Sequence, residues 1–156
     1  MRYFGFEPIF NDKSTILILG SFPSVKSREE QFYYGNKQNR FWKMLATAFN
    51  SDVPTTVEEK REMVLSHGLA LWDMVNSCSI KGSMDADIKD YTVADLSKVL
   101  SVAPIKKILL NGGKAYEIFA KNYPHMLDIV KKLPSTSSAN VRYNQDLWLK
   151  ELKLDN

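Results

Sequence analysis

Ser14-Thr15-Ile16-Leu17-Ile18-Leu19-Gly20, continued by Ser21-Phe22-Pro23-Ser24, is the stretch on which the fold turns. Its apolar residues are consecutive rather than alternating, so the run suits a strand buried on both faces, as in a parallel sheet. Gly20 permits a tight exit, and a small, hydroxyl-bearing, proline-stiffened loop follows. A strand that ends in such a loop exposes backbone N–H groups and short side chains, which suit phosphates and polar rings better than greasy ligands.

Further elements alternate outward from this strand. Asn39 to Asn50 carries Phe41, Met44, Leu45, Ala48 and Phe49 at helical spacing. Thr56-Val57-Glu58-Glu59 is a capping-box pattern opening a helix to about Ser66, with Gly68 as its stop. Leu69 to Trp72 is a second strand leading into Asp73, and residues 76–91 read as a long polar loop. Thr92-Val93-Ala94-Asp95 starts a helix through Val102, closed by Pro104. Ile105–Asn111 is a third strand, turned by Gly112-Gly113 into a helix from Lys114 to Tyr123. Asp128–Leu133 is a fourth strand and Tyr143–Leu154 a closing helix. Strands alternating with helices predict an α/β fold, a parallel sheet with helices on both faces. The working site of such a sheet lies beyond the carboxyl ends of its strands.

The chain has 156 residues, 44% hydrophobic and 25% charged, which fits one domain, residues 1–156, with a single core. No apolar run approaches the ~20 residues of a membrane helix. An acid and a proline in the first eight residues argue against a signal peptide. A single cysteine, Cys78, rules out an internal disulfide and a cysteine-built metal site. A soluble, cytoplasmic, monomeric protein is expected. Net charge is only +3, but its distribution is uneven. Residues 21–43 hold five bases against two acids and residues 104–142 seven against two, whereas residues 52–103 hold five bases against nine acids. The basic segments flank two loops, so a polyanion is a candidate partner.

Three segments carry candidate chemistry. In the first loop Phe22 either stacks on a flat base or plugs the core. In Tyr33-Tyr34-Gly35-Asn36-Lys37-Gln38-Asn39-Arg40-Phe41-Trp42, Asn39 stands where a helix N-cap belongs, or else holds a water by its carbonyl oxygen. Tyr33 and Tyr34, if extended, face opposite ways, so only one lines a pocket. Phe41 and Trp42 read as core and wall. Leu133-Pro134-Ser135-Thr136-Ser137-Ser138-Ala139-Asn140 places four hydroxyls after a strand, either to grip phosphate or as a polar turn. Asn111-Gly112-Gly113-Lys114 lacks the spacing of a nucleotide-binding loop, and its glycines let a helix pack close. Asp85 and Asp87 have no ligand partner nearby, and neither His67 nor His125 sits in a motif.

Ile18–Ser24, Tyr33-Tyr34, Asn39-Arg40-Phe41-Trp42 and Leu133–Asn140 together resemble the uracil-DNA glycosylase superfamily, and within it the hypoxanthine-DNA glycosylase branch, family 6. Leu71-Trp72-Asp73 and Leu110-Asn111-Gly112 are similar to that branch too, and the likeness runs from about residue 4 to 150. It implies a three-layer α/β/α sandwich around a central four-stranded parallel sheet, with a base flipped from DNA held at the carboxyl edge. It implies neither metal nor other cofactor. Asn39 is the catalytic residue it implies, orienting the attacking water. Gly20, Ser21, Phe22, Pro23 and Tyr34 would form the base pocket, and Ser24, Ser135, Thr136, Ser137, Ser138 and Asn140 would meet the DNA, double- or single-stranded. Phe22 stands where other branches offer Asp or Asn, and Leu133 where some have His or Asn. Lys37-Gln38 and Ser138 occupy positions where proline is common. The implied activity is hydrolytic excision of a deaminated base, hypoxanthine first, leaving an abasic site. Excision of uracil or of mismatched thymine, a non-catalytic lesion-binding module, and an enzyme of free nucleotides are the alternatives.

Overall fold

The computed structural model describes residues 2–79 and 88–152. In chain order it contains β1 (Tyr3–Phe4), β2 (Ile16–Gly20), α1 (Val25–Glu30), α2 (Phe41–Ala48), α3 (Val57–Ser66), β3 (Leu69–Asp73) and β4 (Val75–Ser79). There follow β5 (Lys89–Val93), α4 (Ser97–Leu100), β6 (Lys107–Asn111), α5 (Gly113–Asn122), β7 (Val130–Leu133) and α6 (Gln145–Leu152).

Every residue of β2 and of β3 is buried, as an apolar run without alternation requires. Four strands form a parallel sheet in the order β3-β2-β6-β7. The chain steps from β2 outward to β3, then returns past β2 to β6, so the direction of winding reverses between β2 and β6. A crevice opens at such a reversal, beyond the carboxyl ends of the strands. Gly20, Asp73, Asn111 and Leu133 are the four residues at those ends. The outer edge of β3 is covered by Ile9, whose N–H and carbonyl both pair with Leu71 at 2.9 Å.

Thr56 and Glu59 form the expected capping box, with Glu59 N–H to Thr56 Oγ1 at 3.0 Å and Thr56 N–H to Glu59 Oε1 at 3.1 Å. Gly68 stops that helix at φ +71°. The closing helix buries Trp148 completely, edge-on to Phe41, and its indole N–H donates to the Pro134 carbonyl at 2.8 Å. That bond ties the end of β7 to α6. Trp148→Phe removes the N–H, leaves the carbonyl unpaired and vacates the space of the five-membered ring, so a loss of about 2 kcal/mol or more in unfolding free energy is expected from denaturant titration.

Four differences from the sequence expectations have physical causes. Residues 76–91 are not one long loop. β4 and β5 pair antiparallel, and β1 joins β4, making a second, three-stranded sheet. Ser77 and Cys78 are buried in it, and Ser77 Oγ is satisfied by Thr92 Oγ1 at 2.9 Å and Arg2 Nε at 3.1 Å. Thr92 and Val93 belong to β5, so the helix placed from Thr92 to Val102 is confined to α4. A six-residue helix, α1, follows the first loop, capped by Ser24 Oγ accepting from Ser27 N–H. The third strand starts at Lys107 and the fourth at Val130, after a 3-10 turn over Pro124–Ile129. Asp85 and Asp87 lie outside the described residues.

Candidate active site

A cavity of about 400 Å³ lies at the reversal, walled by Gly20–Ser24, Tyr33 and Tyr34, Asn36 and Asn39, Asp73, Asn111 and Ser135–Asn140. The two hydroxyl-rich loops, Gly20–Ser24 and Ser135–Asn140, lie at opposite ends of the chain and yet share one hollow with Asn39.

Asn39 is half-buried just before α2. The formal cap position is Arg40, and Asn39 acts from one residue earlier, its Oδ1 accepting from Phe41 N–H at 2.9 Å. The same oxygen accepts from Thr136 Oγ1–H at 2.8 Å. An amide oxygen has two lone pairs. Both are used by groups of the protein.

Thr136 is fully buried. Its hydroxyl accepts from Asn111 Nδ2 at 3.1 Å and its N–H donates to Asn111 Oδ1 at 3.0 Å. Asn111 Nδ2 also donates to Tyr34 Oη at 3.2 Å. The Thr136 hydroxyl, expected to meet DNA, is thus spent inside the wall. Ser135 Oγ and Ser137 Oγ accept from the N–H groups of Ser137 and Ala139, and Asn140 Nδ2 donates to the Ser135 carbonyl. Ser138 is exposed at the loop's tip. Ser24 is held as the cap of α1, at the cavity rim.

Arg40 fastens this loop from below. Its Nη2 donates to the carbonyls of Ser137 at 2.7 Å and Asn140 at 2.8 Å, its N–H to that of Thr136 at 3.0 Å, and its guanidinium lies 4.4 Å from the Tyr143 ring centroid. Two hydrogens of one nitrogen serve two carbonyls while the delocalised guanidinium lies over an aromatic ring, a combination that the point charge of lysine matches less well. Arg40→Lys should weaken binding of lesion-bearing duplex about 10-fold in a titration, through a loosened loop.

Both tyrosines line the cavity, contrary to the alternation expected of an extended pair, because Tyr34 has φ +53°. Tyr34 stacks on Phe41 with centroids 4.0 Å apart. Tyr33 is anchored through its hydroxyl, which donates to the Glu7 carbonyl at 2.8 Å. Burial, and then the charge of Asp73, push both phenols far above their ordinary value. Neither titrates near neutrality, so neither serves as a base. Phe22 lies half-buried in the wall, with the Arg28 guanidinium 5.9 Å from its centroid.

Asp73 and Asn111 are pocket residues that the sequence reading noted at strand ends and in stretches similar to the hypoxanthine branch, without giving them a role in the site. Their signal was a polar side chain closing an otherwise apolar strand. Asp73 is 5% exposed, and an alanine methyl at Gly20 would stand 2.6 Å from its Oδ1. Gly112, at φ +99°, lets the turn after β6 approach Ser135, rather than bringing α5 closer. Among the described residues no group of three His, Cys, Asp or Glu could hold a metal ion.

The structure is thus a parallel α/β sheet with a polar, aromatic-walled hollow at its winding reversal. The family model for the uracil DNA glycosylase superfamily matches residues 7–153. The chain belongs to that superfamily. It is 35% identical to a Methanosarcina acetivorans protein and 32% identical to one from Methanosarcina barkeri, both named hypoxanthine DNA glycosylase; each match covers 91% of this chain and 90% of the relative. The solution NMR structure of a Methanosarcina acetivorans protein superposes with a TM-score of 0.85 at 32% identity, covering 97% of both chains.

Proposed function

We propose that this protein excises hypoxanthine from DNA, hydrolysing the bond between base and deoxyribose and leaving the abasic site uncut. The observation that carries this is the convergence of Gly20–Ser24, Tyr34, Asn39 and Ser135–Asn140 on one cavity of about 400 Å³. That volume lies in the range of small-ligand sites and admits a purine. A base in a stacked duplex is out of reach, so the nucleotide must rotate out, at a few kcal/mol, least for a mispaired base. The basic segments attract the backbone, and the first loop and Ser138, exposed at the tip of the late loop, meet flanking phosphates. Val141, 95% exposed beside Asn140, is the apolar side chain placed to fill the vacated gap in the stack.

Inside, the ring lies against Phe22 and Tyr34. Hypoxanthine carries a hydrogen on ring position 1, where adenine has a bare nitrogen. The Asp73 carboxylate accepts from such an N–H and repels a lone pair there, which favours the deaminated base. Catalysis draws on position and fixed dipoles, since the cavity's tyrosines are neutral and its amides are not bases. Among the described residues no lysine lines the cavity to act as an amine nucleophile, which supports a hydrolytic enzyme without strand cleavage.

The test is a panel of labelled oligonucleotides, duplex and single-stranded, containing inosine, uracil, xanthine or a G·T mispair, treated with alkali after incubation. Alkali-dependent cleavage at inosine is expected. No cleavage at any lesion removes the glycosylase proposal, cleavage confined to uracil or thymine moves it to another substrate, and breaks before alkali remove the monofunctional claim.

A further inference from the structure

The orientation of the Asn39 amide is fixed by two backbone N–H groups at the ends of a hydrogen-bond chain. Phe41 N–H meets one atom of the Asn39 amide at 2.9 Å, and Thr136 N–H meets one atom of the Asn111 amide at 3.0 Å. A backbone N–H only donates, so each of those atoms is the oxygen. Asn111 then turns its NH₂ to Thr136 Oγ1 at 3.1 Å and Tyr34 Oη at 3.2 Å. Having received that hydrogen, the threonine hydroxyl sends its own to Asn39 Oδ1 at 2.8 Å. Flipping either amide would set its NH₂ against a backbone N–H, hydrogen facing hydrogen. With the oxygen committed to the wall, what Asn39 offers the cavity is its NH₂, and no acceptor among the described residues engages it.

We propose that Asn39 acts as a hydrogen-bond donor to a ring nitrogen of the departing purine, N3 or N7, and does not orient water. This rests on the proposed excision of hypoxanthine and deepens it. Asp73 takes the edge that carries N1–H and O6, which leaves the ring nitrogens N3 and N7 as the acceptors on the other edges. The C1′–N9 bond breaks with its electron pair leaving on the purine. Water adds to C1′ and its proton ends on the purine, so free base and abasic site are the only products. A donor at N3 or N7 stabilises the charge as it develops there. A water held by Nδ2–H would instead give up a lone pair, which makes it a poorer nucleophile.

Asn39→Asp separates the two roles. Aspartate keeps an oxygen for Phe41 N–H and Thr136 Oγ1–H, and it caps as well as asparagine does. It loses the donor and gains a negative charge. Single-turnover release of hypoxanthine from an inosine duplex should fall about 100-fold or more, as far as in Asn39→Ala, with the melting temperature kept. An aspartate variant as fast as wild type, or faster, overturns the donor role, because a carboxylate orients water better than an amide. Should the aspartate variant fail to fold, duplexes containing 3-deaza- or 7-deaza-deoxyinosine give a second reading. The ratio of wild-type to Asn39→Ala rates should shrink towards one on the analogue whose acceptor is missing, and equal ratios on all three substrates overturn the proposal. Failure of wild type to release any hypoxanthine overturns the functional proposal and this one with it. Release by wild type with full activity in Asn39→Asp overturns this one alone.

Discussion

Asp73→Ala is expected to slow hypoxanthine release about 100-fold or more at single turnover, with Asp73→Asn losing about 10-fold. The side chain is 5% exposed at the carboxyl end of β3, inside the cavity. A base entering there leaves water behind, so each of its N–H groups must find an acceptor or bear the cost of being buried unpaired. Alanine offers none. Asparagine still offers an oxygen, without the charge, and this is why the series should be graded. Loss of packing alone would give a different order, since asparagine fills the same space as aspartate. The measurement is therefore the rate ratio of the two variants alongside their melting temperatures, and equal rates in all three proteins would remove Asp73 from base recognition.

The charge of Asp73 has a second effect. It is one of the causes, after burial, that hold the Tyr33 and Tyr34 phenols neutral. Asp73, Gly20, Tyr34, Asn111, Thr136 and Asn39 form one continuous wall. Three of its members come from strand ends or the residues just beyond them, and its order comes from hydrogen bonds that join residues 25, 77 and 97 positions apart.

That distance in sequence explains what could be read from the chain and what could not. Ile16–Gly20, Leu69–Asp73 and Lys107–Asn111 announce themselves, because strands buried on both faces must be apolar throughout. Thr56–Glu59 announces a helix because its capping box is local. Val75-Asn76-Ser77-Cys78-Ser79 does not look like a strand, since hydroxyl groups stand at buried positions and their partners, Thr92 and Arg2, are remote. The cavity's membership was legible for both loops and for Asn39. Its polarity was not. Which atom of Asn39 faces the hollow depends on Thr136, and nothing in a 97-residue separation betrays that contact. Tyr33 and Tyr34 were misjudged for a local reason, because alternation presumes extended backbone and Tyr34 is left-handed.

Gly20→Ala should damage both stability and activity, although it adds a single methyl group. The new Cβ would stand 2.6 Å from Asp73 Oδ1 and 3.2 Å from Tyr34 Oη. The backbone cannot withdraw. Gly20 is in register with Asp73 in the parallel sheet, and its carbonyl accepts from Met74 N–H at 2.8 Å. Relief must come from the Asp73 side chain, which is short and enclosed, and from Tyr34, whose hydroxyl accepts from Asn111. Overpacking of this kind costs about 1–3 kcal/mol. Excision should fall at least as far as in Asp73→Ala, about 100-fold or more, because the acceptor and the aromatic wall shift together. Gly113→Ala is the control: at the start of α5 an added methyl meets nothing nearer than Lys132 Cε at 3.9 Å, so melting temperature and excision should hold. If Gly20→Ala melts and cuts as wild type does, Asp73 has room to move, and the proposal that this wall reads the base by its fixed position is lost.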